Sequence, residues 1–477
     1  MVATVRKVRG LFVALFALCV ALTALPSVAF AAYATQTGYI TISGVSPEDK
    51  VDIYRVVDYT YNNDNTVTWK FTHEFGINRN DYAAAANNSD AMKGYADQMA
   101  TYVLNKDNNV QPMGTETVAA GATSVTFNGM DDGEYLVIVT PAAGTTKIYQ
   151  NAIVKLEPTQ DGQGGDWSLV NGGVNMVAKS VNQPPVDKKI NGEDGPVSDY
   201  AEGQSVPFTI TSTVPTYPSN AINKRFAISD TMSSGLDLED GITVTIPKKG
   251  NEPQDITLTA EIDYTLTPTQ YVGGQTFEIV FNYNQIDQYA GREIVVSYSA
   301  TLTNDAASIE NNTATVEFSR DPNTANSYET KDDEEKLYTY TINVLKQDAD
   351  TKVPLQNATF ELHKETPNGV VVGTLTTTGE HGTASVDGLA AGTYYLVETA
   401  APEGYQLDAT PIEVVITAST NDNATADSLI VSKTIDNTKT PALPVTGGAG
   451  TVAITAAGVV LVAGAAMLIV RARKSDN

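Results

Sequence analysis

The chain has 477 residues, 56 of them acidic and 30 basic, for a formal net charge of −26. So acidic a surface excludes nucleic acid as a partner, because phosphates require a basic face. Three histidines in unrelated contexts (His73, His363 and His381) and a lone cysteine, Cys19, leave no basis for a Cys/His metal site, a disulfide framework or a thiol nucleophile.

At the N-terminus, Arg6, Lys7 and Arg9 precede an apolar run from Leu11 to Leu25 and then small residues around Ala29-Phe30-Ala31. This layout predicts a cleavable secretory signal over residues 1–31, which takes Cys19 with it and starts the mature chain near Ala32. Beyond it, Tyr39–Ile42, Tyr135–Val139, Phe208–Thr211, Ile294–Tyr298 and Tyr394–Val397 are short β-branched or aromatic runs separated by Gly, Asn, Asp and Pro. They predict a mostly β chain built of tandem immunoglobulin-like sandwiches. Helical periodicity is confined to Asp81–Leu104, where Tyr82, Met92, Tyr95, Met99, Tyr102 and Val103 line one side of a helical excursion from the first domain. An acidic loop, Asp161–Asp166, carries oxygens of the kind calcium takes, but such loops are common, and neither a metal nor a cofactor is expected. Linkers are expected at Asn182-Gln-Pro-Pro185 and at the charged run Thr330–Glu335. The expected domains are therefore residues 32–183, 184–334 and 335–440. Asp132–Pro141 also echoes Ala391–Ala400, aligning Val139 with Glu398.

Several side chains in these strands carry possible chemistry. Ile342, Val344 and Lys346 share one strand face, as do Tyr394, Leu396 and Glu398. If those faces are core, burial lowers the lysine pKa toward a nucleophilic neutral amine and raises that of the carboxyl. Asn437, near the domain end, offers a carboxamide. The three together could close a Lys–Asn isopeptide bond, with the acid polarising the carbonyl as ammonia leaves. A lysine snorkelling to water and a solvated glutamate are the plainer alternatives. In the middle domain, Lys188 shares a face with Val186 and Ile190, while Lys189 points the other way. Asn312 shares a face with Ala314, Val316 and Phe318, and Asp230 is the candidate acid.

At the C-terminus, the pentapeptide Leu443, Pro444, Val445, Thr446 and Gly447 precedes an apolar run from Ala449 to Val470 and the basic residues Arg471, Arg473 and Lys474. The run is long enough to span a bilayer of ~30 Å, with the basic tail cytoplasmic. An ordinary single-pass anchor would need only the run and the tail. The preceding pentapeptide makes residues 441–477 resemble the cell-wall sorting signal of Gram-positive surface proteins, whose pattern is Leu-Pro-x-Thr-Gly with Val445 here at the variable position. That resemblance implies a sortase that recognises the motif from Leu443 and Pro444 onward. Its cysteine attacks the carbonyl between Thr446 and Gly447 and passes Thr446 to an amine, the span serving as a temporary tether.

The stretch Val344–Leu362, followed by Tyr394–Tyr405, resembles a collagen-adhesin B-type domain of Gram-positive pilins, the second stretch matching that family's E-box. It implies Lys346 as nucleophile, Glu398 as acid catalyst and Asn437 as acceptor. The region holding Lys188, Asp230 and Asn312 resembles the isopeptide-forming middle domain of pilus shaft subunits, in which an aspartate replaces the glutamate. Trp167 followed by Val174-Asn-Met-Val-Ala-Lys179 resembles the acceptor motif of such subunits. Val177-Ala178 stands where the motif has Tyr-Pro, and the tryptophan lies further upstream. The resemblance implies Lys179 as intersubunit acceptor; a solvated lysine at a strand end is the alternative. With Val139 at the glutamate position, no bond of this kind is expected in the first domain.

The leading expectation is a structural one: the shaft subunit of a surface pilus (fimbrium), secreted, anchored to the cell wall and not an enzyme. Thr446 is joined to Lys179 of the next copy, with accessory or tip pilins and peptidoglycan as further partners. The alternative is a wall-anchored adhesin or accessory pilin that binds a host protein or glycan receptor.

Overall fold

The computed structural model describes residues 37–441 except 63–65, 88, 161–166, 170–171, 269–276 and 305. The signal at residues 1–31 and the acidic loop Asp161–Asp166 lie outside the described residues. So does the expected sortase site, Leu443, Pro444, Val445, Thr446 and Gly447, with the apolar run after it. Among the described residues, no helix is long and apolar enough to cross a membrane, and no group of three or more His, Cys, Asp or Glu side chains could hold a metal.

All five segments expected as strands are strands. The chain divides into two compact units, one of residues up to Asn182 with Tyr217–Ile222, the other of Gln183–Thr216 and the chain from Asn223 onward. In the first unit, one sheet orders Val67–Phe71, Lys50–Tyr61, Gly133–Thr140 and Ala152–Leu156, and a second orders Gly173–Val177, Thr37–Ser43 and Ser124–Asp131. Ile40, Ile42, Val51, Ile53, Phe127, Tyr135, Val137 and Val139 fill the core between them. On its other face the first sheet is covered by Ser89–Leu104, through Ala96, Met99, Ala100 and Val103 against Val56, Leu136 and Ile138. Gly133–Thr140 is thus apolar and buried on both sides rather than alternating.

The helical excursion differs from its expected form. It is split into Arg79–Ala84, a short 3-10 turn at Ala85–Asn87, and Ser89–Leu104. Tyr95 and Tyr102 pack only at the margin of the cluster, while the small residues Ala96 and Ala100 let the helix approach the sheet closely. Asn, Ser and Asp favour helix starts over interiors, which accounts for the restart at Ser89-Asp90.

The second unit holds two sandwiches. In the first, one sheet runs Asp187–Ile190, Ser205–Thr213, Glu293–Leu302, Thr243–Ile246 and Ile256–Thr257, with Leu236–Leu238 also pairing with Glu293–Leu302. The opposing sheet runs Tyr264–Pro268, Phe277–Phe281, Phe226–Met232, Ile309–Ser319 and Tyr328–Tyr338. In the second, Thr383–Leu389, Tyr340–Asp348 and Ile430–Asn437 face a sheet of Val371–Thr376, Thr359–Lys364, Gly392–Ala400 and Ile412–Ile416.

The charged run Thr330–Glu335 is not a linker. It lies inside the edge strand Tyr328–Tyr338, paired residue for residue with Ile309–Ser319. Its side chains alternate, Asp332 and Glu334 outward, Asp333 and Glu335 turned toward the core. Charge on an edge strand discourages further pairing, so composition hid a period of two. The chain passes through Thr339 directly into Tyr340–Asp348, so this edge strand, not a spacer, leads into the next sandwich.

The internal echo has a structural counterpart. Tyr135 donates its hydroxyl to the Asp131 carbonyl at 2.6 Å, and Tyr394 donates to the Ala390 carbonyl at 2.8 Å. Each ties the start of a central strand to the turn before it, as in the tyrosine corner of immunoglobulin-like domains.

One glycine permits a close backbone approach in the third sandwich, at the turn before Thr383–Leu389. Gly382 has φ +58°, and a Cβ there would meet the backbone of Leu355 at 2.6 Å and of Lys346 at 2.8 Å. Gly382→Ala should therefore destabilise this sandwich by on the order of 1–3 kcal/mol, measured by denaturant unfolding of chain bearing Asn437→Ala; an unchanged midpoint would contradict it.

Candidate functional site: two buried lysine–acid–asparagine clusters

The alternation that makes Asp187–Ile190 a strand turns Lys188 inward and Lys189 outward, and Lys188 is 0% exposed. Its ammonium lies over the rings of Phe208 and Tyr298, 5.2 and 5.1 Å from their centroids. Asp230, on Phe226–Met232, and Asn312, on Ile309–Ser319, enter the same space from the opposing sheet, both fully buried. Lys188 pairs with Asp230 Oδ2 through its Nζ, which also donates to the Tyr298 hydroxyl at 2.5 Å. Tyr298 donates to Asp230 Oδ2 at 2.7 Å and accepts from Asn312 Nδ2 at 3.0 Å. Asp230 Oδ1 and Asn312 Oδ1 are buried without a hydrogen-bond partner among the described residues.

Burial dominates the electrostatics. It pulls the Lys188 amine below its ordinary value and pushes the Asp230 carboxyl above its own, each against the attraction of the other. Burial also holds the Tyr298 phenol well above its usual range, reinforced by the Asp230 charge. Both shifts of the pair favour a neutral amine beside a protonated acid.

In the third sandwich, Tyr340–Asp348 and Ile430–Asn437 run parallel, with Lys346 opposite Ile435 and Asp348 opposite Asn437. Lys346 is 0% exposed, and its Nζ lies 3.0 Å from Glu398 Oε1 and 5.4 Å from the Phe360 ring centroid. Asn437 Nδ2 donates to the same Glu398 oxygen at 3.3 Å, and the Asp408 N–H donates to the other at 2.9 Å. Tyr405, the last residue of the E-box-like stretch, donates to Asp348 at 2.7 Å and so fastens that loop beside the strand ends carrying Lys346 and Asn437.

The structure thus brings together Lys188, Asp230 and Asn312, and separately Lys346, Glu398 and Asn437. The two clusters differ in geometry: the middle one spans opposing sheets, the third joins neighbouring strands. Sequence reasoning missed Tyr298. Its signal was there, since Ile294, Val296 and Tyr298 share a buried face and a phenol in a core needs a partner.

In the first unit, Val139 is buried apolar core. One of several buried acids there, Glu134, accepts from Tyr59 at 3.2 Å, Tyr82 at 2.5 Å and Lys155 at 3.0 Å. Lys179 is exposed just past Gly173–Val177, an edge strand that runs parallel to Thr37–Ser43. The Gln150 N–H donates to its carbonyl at 2.8 Å, so the backbone is fixed, while its ammonium makes no ion pair among the described residues.

Three family models match. One is a Gram-positive pilin backbone subunit 2, Cna-B-like domain, over residues 202–332; one a prealbumin-like fold domain over residues 340–428; one the LPXTG cell wall anchor motif over residues 435–477, the stretch that holds Leu443, Pro444, Val445, Thr446 and Gly447. These models and the relatives that follow support a sortase-assembled Gram-positive major pilin. This pilin is 24% identical over 441 residues to the trypsin-resistant surface T6 protein of Streptococcus pyogenes serotype M6, covering 85% of this chain and 78% of that one. It is 26% identical over 416 residues to the fimbrial subunit type 1 of Actinomyces viscosus, covering 74% and 75%. Among solved structures it resembles the T6 backbone pilin of S. pyogenes, with a TM-score of 0.61, 21% identity and 81% of each chain covered. It also resembles the major pilin SpaD of Corynebacterium diphtheriae, with a TM-score of 0.51, 18% identity and 85% and 97% covered. At these identities the structural likenesses establish the fold.

Glu335 stands opposite Asn312 across the strand pair and is 5% exposed. Burial above all pushes its carboxyl up to about 7, against a hydrogen bond from the Gly195 N–H. The folded domain then keeps a proton that the unfolded chain releases. Its stabilisation is full below the unfolded value and is lost as pH rises through about 7. Glu335→Gln should remove on the order of 2 kcal/mol of the fall in middle-domain stability between about pH 5 and about pH 8. Guanidinium unfolding across that range checks this, and identical pH slopes for the two proteins would rule it out.

Proposed function

We propose that this pilin is a repeating shaft subunit in which sortase joins Thr446 of one copy to Lys179 of the next, and in which Lys188–Asn312 and Lys346–Asn437 isopeptide bonds lock the two sandwiches of the second unit. The observation that carries the internal bonds is the pair of buried clusters, each placing a lysine amine and an asparagine carboxamide around one buried acid. A protonated Asp230 has a hydrogen to donate, and the unpaired Asn312 carbonyl lacks a donor. Such a bond polarises the carbonyl for attack by the neutral Lys188 amine, and ammonia leaves. Glu398, within reach of both Lys346 Nζ and Asn437 Nδ2, is the corresponding acid of the third sandwich. Among the described residues these acids are placed to act on their own chain, consistent with a structural protein.

Each bond closes a loop of about 100 residues, for which chain entropy alone gives about 4–5 kcal/mol. Resistance to force and proteolysis gains more, because the unfolded state can no longer extend fully. Lys179 is supported as acceptor by its exposed ammonium, free of ion pairs among the described residues, on a fixed backbone. The wall-anchored adhesin reading has no specific observation in its favour.

Intact mass of the recombinant mature chain should fall short of the sequence mass by two ammonia, by one in Glu398→Ala or Asp230→Ala, and by none in the double variant. A full sequence mass in the unaltered protein would remove the internal chemistry. Denaturing gels of surface extracts should show a high-mass ladder that Lys179→Ala abolishes. A ladder that persists in Lys179→Ala would move the joint to another lysine.

A further inference from the structure

In the third sandwich one atom touches both nitrogens of the exchange: Glu398 Oε1 lies 3.0 Å from Lys346 Nζ and 3.3 Å from Asn437 Nδ2. In the middle sandwich the corresponding bridge is not the acid. The oxygen within reach of both nitrogens is the Tyr298 hydroxyl, 2.5 Å from Lys188 Nζ and 3.0 Å from Asn312 Nδ2. Asp230 Oδ2 meets Lys188 and Tyr298, and among the described residues has no hydrogen bond to Asn312. Aspartate is one methylene shorter than glutamate, and a phenol fills the gap.

We propose that Tyr298 is a second catalytic residue of the middle domain beside Asp230, the proton relay between the attacking Lys188 amine and the departing Asn312 amide nitrogen. The proposal rests on the isopeptide reading of this cluster. As neutral Nζ bonds to Asn312 Cγ, it gives one hydrogen to the Tyr298 oxygen, while the hydroxyl turns from Asp230 and gives its own hydrogen to Nδ2. The Cγ–Nδ2 bond breaks, ammonia departs, and the tyrosine and Asp230 end as they began. Lysine amine plus carboxamide thus becomes a secondary amide plus ammonia, with no other reactant.

The site is shaped for this role. Tyr298 is 5% exposed, with its ring stacked on Phe208 at 5.3 Å and 13° and edge-on to Phe277 at 5.1 Å and 79°. The ring is clamped and only the hydroxyl can turn. Burial keeps the phenol from ionising, so it must receive one hydrogen as it gives another. Glu398 needs no such partner, since a carboxyl touching both nitrogens moves the hydrogen itself.

The test follows bond formation by peptide mass mapping in the full mature chain, recovered unfolded and still unbonded from inclusion bodies and then allowed to fold. The Lys346–Asn437 bond of the same molecule serves as internal clock and folding control. Tyr298→Phe should slow the Lys188–Asn312 bond by on the order of 10²-fold or more and leave the Lys346–Asn437 rate unchanged. Adding Asp230→Glu lengthens the acid so that it spans both nitrogens, and this double variant should regain much of the lost rate. A wild-type rate in Tyr298→Phe overturns the relay, as does a double variant no faster than the single one. Solvent isotope effects on the unaltered protein give a reading independent of any variant's folding. Two hydrogens moving in one step give a curved dependence on deuterium fraction for the middle bond, and a straight line overturns the proposal. Absence of the Lys188–Asn312 bond from the unaltered protein would instead refute the underlying cluster reading.

Discussion

The second unit is organised around lysine amines taken out of water. An ammonium in a core without compensation costs several kcal/mol even after relaxation, so a sequence that places Lys188 and Lys346 at fully buried positions must also supply what makes burial tolerable. In both sandwiches the supply is a buried acid and an aromatic ring beside the amine. In the middle one, desolvation shifts Lys188 and Asp230 in opposite directions. In the proposed reaction that cost becomes a source of reactivity, and the amide product would carry no charge to bury.

The two sandwiches reach this state differently. In the third, parallel first and last strands bring amine and amide close within one sheet, and a glutamate from the opposing sheet touches both nitrogens. In the middle one, amine and amide come from opposing sheets, and a short aspartate works beside a clamped tyrosine. The edge strand Tyr328–Tyr338 completes that second arrangement. Its Asp333 accepts the Lys188 N–H at 2.7 Å, holding the nucleophile's backbone in place.

Much of this was legible in the sequence, because period-two alternation assigns faces without knowledge of the fold. Lys346 follows Ile342 and Val344, Glu398 follows Tyr394 and Leu396, and Asn312 precedes Ala314, Val316 and Phe318; burial in the structure follows those runs. What failed to show was non-local or masked by composition. The alternation of Tyr328–Tyr338 hides under its charges, and only pairing with Ile309–Ser319 makes it a strand. The buried face of Ser89–Leu104 is set by alanines that carry little hydrophobic signal. Tyr298 reads as an ordinary core aromatic until residues from two sheets are seen converging on its hydroxyl.

The placement of Lys179 near the end of the first unit, between the strands Gly173–Val177 and Ser180–Asn182, bears on how a fibre would carry tension. With the Lys179 joint and both internal bonds in place, load enters at Lys179, crosses from Lys188 to Asn312, continues along the edge strand to Lys346, crosses to Asn437 and leaves through Thr446. Everything between Ala32 and Ala178 hangs beside that line, which gives a mechanical reason for Val139 to occupy the place of a catalytic glutamate. The loops between Lys188 and Asn312, and those between Lys346 and Asn437, are likewise off the line. A protease that nicks one of them cuts no strand of the fibre's tensile path, so the exposed surface can be damaged or remodelled while the thread stays whole.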